Sequence, residues 1–163
     1  MAQIAGTIQG ALVLTAQTIT PSDGSVTNAS VANNAAIAST KLQQRRKAFY
    51  AKPSATAAAA ETIPIARIYG ATASLVALRV GSVVACVGDS TVTIDLKKNG
   101  TSVLSATVQL DSANTARVTE AATINTTGAV VDDLFELVVT VSAGTGTLAT
   151  GIFAELVYDE DPA

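Results

Sequence analysis

From Glu61 onward the chain alternates apolar and polar residues in short segments, each closed by Gly, Asn, Asp or Ser. A period of two is the mark of strands with one face buried. ETIPIARIY reads as a strand with Pro64 near its start, a placement suited to a sheet edge because proline cannot donate to a ladder. ASLVALRVGSVVACVG is too long for one ordinary strand, and Gly81 predicts a bend or bulge that divides it in two. TVTIDLKKNGTSVLSATVQL predicts a hairpin. Val92, Ile94 and Leu96 alternate on one arm and Leu104, Ala106, Val108 and Leu110 on the other, about an Asn99-Gly100 pair that supplies positive φ angles. TARVTEAATINT predicts a polar strand at an edge or facing solvent. DLFELVVTVSAG alternates through Phe135, Leu137, Val139 and Val141. TLATGIFAELVYDE closes the series, with Phe153, Glu155 and Val157 on one face and Ile152, Leu156 and Tyr158 on the other. About eight strands on short turns, with no helical period between them, predict an all-β fold, an antiparallel sandwich of jelly-roll type. The run SATAAAAE is compatible with a short helix or a loose connection.

The front of the chain follows a different rhythm. In GSVTNASVANNAAIASTKL the apolar residues Val26, Val31, Ile37 and Leu42 are spaced by five, six and five. Helices need steps of three and four, and strands steps of two. Small, polar and β-branched residues fill the gaps, and such a segment has too little apolar mass to fold alone. It reads as an extended arm whose apolar side chains plug into pockets elsewhere. The expected organisation is an anchoring arm over residues 1–46 and a sandwich over 47–163.

Composition narrows the chemistry. Of 163 residues only six are aromatic, none is Trp and none is His, so the core must be built from Val, Ile, Leu and Ala. Without His the commonest general base and zinc ligand are missing, and the single Cys86, inside SVVACV, predicts a buried inert thiol. No phosphate loop or nucleophile elbow occurs. The acids Asp132, Asp133 and Glu136, and Asp159, Glu160 and Asp161, lack Ca²⁺-loop spacing and read as a solvated turn and a solvated tail. No catalytic role and no cofactor or metal is expected. No uninterrupted apolar run reaches about 18 residues, so no membrane-spanning helix and no membrane partner is expected.

Charge adds a polarity to this picture. Residues 1–60 hold five cations against one acid, and residues 61–163 five against twelve. A basic front and an acidic back predict two surfaces with different partners. The run Lys41-Leu-Gln-Gln-Arg45-Arg46-Lys47, followed by Phe49 and Tyr50, has the makings of a nucleic-acid contact. In a net acidic chain, docking onto an acidic protein surface accounts for it equally well, and no nucleic-acid partner is expected.

The hairpin TVTIDLKKNGTSVLSATVQL and the arm SVTNASVANNAAIASTKL together resemble small β-sandwich proteins of tailed bacteriophages, the head-fibre, cement and decoration proteins. That resemblance implies a structural virion protein on the outer surface of the capsid, with an N-terminal arm that anchors it and a jelly-roll knob. Its implied partners are the major capsid protein and sister copies, as a homotrimer. Carried onto this sequence, Val26, Val31, Ile37 and Leu42 would anchor. Lys41, Arg45, Arg46 and Lys47 would sit at the junction with the shell or neighbouring subunits. The alternative is a receptor- or carbohydrate-binding module of a fibre or tail appendage, against which the scarcity of aromatics counts.

Overall fold

The computed structural model describes residues 43–162. Ten strands run through this span: β1 (Gln44–Ala51), β2 (Glu61–Arg67), β3 (Thr72–Val84), β4 (Thr91–Lys98), β5 (Thr101–Ser102), β6 (Val108–Leu110), β7 (Thr119–Ala121), β8 (Gly128–Val130), β9 (Leu134–Ser142) and β10 (Thr150–Glu160). They form two antiparallel sheets. Sheet A has the order β1-β10-β3-β7, with β8 also on β3; sheet B has the order β2-β9-β4-β5, with β6 also on β4. β5 and β6 follow one another along β4, as β7 and β8 do along β3, so each pair behaves as one interrupted strand. Counted that way there are eight strands passing between two sheets in jelly-roll order. The number equals that expected, but the membership differs: the segment through Gly81 is one strand where two were expected, and β1 stands ahead of the alternating region. Strand β1 takes in residues 44–46, which the sequence reading placed in the arm, because the polar run QRRK is held by the facing strand rather than by its own apolar pattern.

The core lies between the inner faces. Ile152, Ala154, Leu156 and Tyr158 of β10 and Leu78 and Val80 of β3 meet Val92, Ile94 and Leu96 of β4 and Phe135, Leu137 and Val139 of β9. Phe135, Leu96, Leu156 and Val92 are wholly buried. Burying a side chain of this size contributes about 1.5–3 kcal/mol, so aliphatic residues suffice where aromatics are scarce.

Two sequence expectations are corrected here. Gly81 does not divide its segment, since β3 runs unbroken through it. The bulge falls earlier: the register passes from Ala77 opposite Val157 to Leu75 opposite Tyr158, leaving Val76 unpaired and exposed. The buried set accordingly changes phase, from Ala73 and Leu75 to Leu78, Val80 and Ser82. Phase is what a bulge shifts, and no glycine is needed for it.

The second arm of the hairpin is the other correction. Asn99 and Gly100 have φ of 49° and 84°, as a two-residue hairpin turn requires. Beyond it the strand lasts only two residues before the register moves from Lys97 opposite Ser102 to Ile94 opposite Val108. Val103 and Leu104 are both buried, and neither belongs to a strand. The chain leaves the ladder there, and Leu104 bridges to Ile124. Ala106, expected on the inner face, is exposed.

Other elements match the reading. Cys86 is buried, with Sγ 3.4 Å from the Leu110 carbonyl. The alanine run forms no helix; Ala57 bridges to Thr150 and Ala58 is buried. β2 is an edge strand, with a register shift between Pro64 and Ala66.

Candidate partner-binding edge

The basic residues Arg45, Arg46 and Lys47 lie on β1, an edge of sheet A paired to β10 over its full length, from Gln44 opposite Glu160 to Ala51 opposite Phe153. Alternation sends Arg45, Lys47 and Phe49 to the solvent face and Arg46, Ala48 and Tyr50 to the other. Each cation meets a carboxylate of β10. Arg45 donates through Nε and Nη2 to both oxygens of Asp159, at 2.8 and 2.9 Å. The Arg46 Nε lies 2.9 Å from Glu160 Oε2, and the Lys47 Nζ 3.4 Å from Glu155 Oε1. Just beyond the strand, Lys52 pairs with Glu61 at the start of β2. Four cations of the basic front are therefore paired with carboxylates of the acidic segment, three of them across one ladder, so they do not form a surface apart from it.

The C-terminal acids are also not a solvated tail. Glu160 is buried, and its Oε1 accepts the backbone N–H groups of Tyr69 and Gly70, both at 2.7 Å. Gly70 allows this approach, since a Cβ there would lie 2.7 Å from Glu160 Cγ. Burial pushes the Glu160 carboxyl up, but the Gly70 and Tyr69 amides and the Arg46 guanidinium outweigh it and hold it below its ordinary value. The Arg45 hydrogen bond lowers Asp159 in the same way, and hydrogen bonds from Thr72 and Gln43 lower Asp161. Tyr50, desolvated and beside Glu61, is pushed up to about 12. Asp133, expected in a solvated turn, is buried too. Its oxygens accept the Val130 N–H and the Asn99 amide, while Asn99 accepts the Leu134 N–H, so the hairpin turn is tied to the start of β9.

The solvent face beside β1 carries two of the three phenylalanines. Phe153 sits opposite Gly81, and a Cβ on that glycine would lie 2.7 Å from Phe153 Cζ, so the ring lies across the neighbouring strand. Phe49 stacks on Phe153 with centroids 6.4 Å apart and remains 65% exposed. An exposed aromatic fixed beside cations is what a binding surface offers, and the one mark of Phe49 in the sequence is its place after the basic run.

On the far side of the sandwich, a groove of about 280 Å³ runs between residues 106–109 and 120–123. Its one carboxylate, Glu120, accepts a hydrogen bond from Asn114, which leaves no pair of acids for hydrolytic chemistry in this groove. Among the described residues no cluster of His, Cys, Asp and Glu is arranged to hold a metal ion. Val26, Val31, Ile37, Lys41 and Leu42 lie outside the described residues. Compared with protein-family models, with curated proteins and with solved structures, the chain matches none of them.

Proposed function

We propose that this chain is a non-enzymatic structural virion protein that binds the outer surface of a bacteriophage capsid through the residues ahead of the sandwich and displays the sandwich outward. The observation that carries this reading is how the chain enters the fold. β1, which directly follows the arm, is laddered to β10 along its whole length and held by Arg45–Asp159, Arg46–Glu160 and Lys47–Glu155. A pull on the arm is thereby spread over a strand and its charge pairs, which suits a tether. The four apolar residues Val26, Val31, Ile37 and Leu42 would each contribute about 1.5–3 kcal/mol if fully buried in a shell. Many copies on one particle raise the effective strength further without new contacts.

The test compares the full chain with a version lacking residues 1–42, which keeps all of β1. Both are mixed with undecorated capsids and sedimented, with circular dichroism confirming the fold. The full chain is expected to co-sediment and the shortened one to stay in solution. Full occupancy by the shortened chain would overturn the assignment of anchoring to the arm.

A further inference from the structure

We propose that β1 is a self-pairing edge, through which two copies of the sandwich join antiparallel about a twofold axis at Ala48. The inference concerns the sandwich alone and does not depend on the virion reading.

The ladder shows which backbone groups are open. The Lys52 N–H donates to the Ile152 carbonyl at 2.9 Å, continuing the register that sets Ala51 opposite Phe153. Bonding alternates along an antiparallel pair, so Gln44, Arg46, Ala48, Tyr50 and Lys52 turn their backbone groups to β10. Those of Arg45, Lys47, Phe49 and Ala51 face away. Among the described residues β1 pairs with β10 alone, so this outward row is an unfilled template. Edges normally carry a device against such pairing. β2 has Pro64 and a shifted register, whereas β1 has no proline and no bulge. Its only device is charge.

The charges choose a partner register. Residues that face outward must meet each other, which permits only alternate registers. With Ala48 opposite Ala48, Lys47 meets Phe49, Arg45 meets Ala51, Arg46 meets Tyr50 and Gln44 meets Lys52. No two cations oppose each other, and each Lys47 ammonium lies beside the other copy's Phe49 ring, a cation–π contact made twice by symmetry. One step along, Lys47 would oppose Lys47. A second step sets Arg46 against Arg46 and Arg45 against Lys47. A step the other way brings Arg46 against Lys52. Like charges directly opposite destabilise a strand pair. The Lys47 side chain is 62% exposed and Phe49 65%, so both are available. Pro53 follows Lys52 and closes the paired block. The contact would make about eight interchain hydrogen bonds and join two five-stranded sheets into one.

The experiment measures the mass of the full chain by light scattering across a dilution series, together with amide exchange. A dimer is expected, with the Arg45, Lys47, Phe49 and Ala51 amides slowing as concentration rises. Phe49→Lys sets like charges opposite one another twice and is expected to weaken association about tenfold or more. Adding Lys47→Glu to it creates Glu–Lys pairs in this register alone and is expected to restore the dimer. A monomer at every concentration, the trimer that the resemblance implies, or exchange at those four amides independent of concentration would each overturn the proposal. So would failure of the charge exchange to rescue.

Discussion

Two strands border the same side of the sandwich, β1 on sheet A and β2 on sheet B, and they solve the edge problem differently. β2 removes a donor with Pro64 and shifts its register beside it. β1 keeps a regular ladder and arms it with cations, each tied to a carboxylate of β10. Proline rejects every partner strand alike, because the missing donor is missing in every register. Charge rejects only the partners that place like against like. One edge is closed and the other selective.

The largest effect that bears on this contrast lies at the anchor of β1. Glu160→Ala would leave the Tyr69 and Gly70 amides without their acceptor and Arg46 without its partner. A loss of about 2–4 kcal/mol in urea unfolding is expected. The pH dependence has a definite sign. The Glu160 carboxyl is depressed in the folded state, so its contribution is present above the ordinary value of 4.5 and is lost as pH falls through the lower folded value. Wild-type stability should drop across that acid window, and the Glu160→Ala protein should show a shallower drop. An identical slope in both would remove Glu160 from the account.

A smaller effect is expected at the seat beneath the aromatic pair. Gly81→Ala places a Cβ 2.7 Å from Phe153 Cζ and 2.8 Å from the Val118 carbonyl oxygen. The ring has to swing and the backbone of residue 118 has to give, at about 1–3 kcal/mol in urea unfolding. Phe49 then loses its stacking partner. Unchanged stability would mean that the ring is free to move.

The smallest effect on stability, and the most direct comparison of the edges, comes from Pro64→Val. Folding stability is expected to change by no more than about 0.5–1 kcal/mol, since Pro64 is exposed and needs no donor toward β9. Restoring an edge N–H should nevertheless give β2 a tendency to associate, visible as mass rising with concentration beyond that of the parent. A mass curve that overlays the parent's would show that the register shift alone closes this edge.

These edges also separate what the sequence made legible from what it hid. Pro64 marks its strand as an edge by itself, and Asn99-Gly100 fixes a turn because two positive φ angles admit few other residues. The strand of Phe135, Leu137 and Val139 is legible because its alternation is unbroken. β1 has no such pattern. Its place depends on Asp159 and Glu160, far along the chain, and the basic and acidic runs look like separate surfaces until the ladder brings them together. Gly81 misled for a related reason, since its lack of a side chain serves a ring on another strand and not its own backbone. Val103 and Leu104 imitate alternation only if one of them is ignored. Of the residues the sequence singled out for binding, Arg45, Arg46 and Lys47 lie together on an edge, and Phe49, the exposed ring beside them, becomes visible only once the sheet exists.

The pairing of β1 with β10 has a consequence in time. It joins the first described strand to the last, and its Arg45–Asp159 bond spans 114 residues of chain. Contacts of such separation form late and slow the folding of β-proteins. During synthesis β1 must wait, without its partner, until more than a hundred further residues have been made. A waiting strand is a site for aggregation unless charge guards it, and QRRK supplies that guard before the carboxylates of β10 are there to neutralise it. The same cations then change office: they keep the strand solitary while the chain is being born and hold it in place once Asp159 and Glu160 arrive.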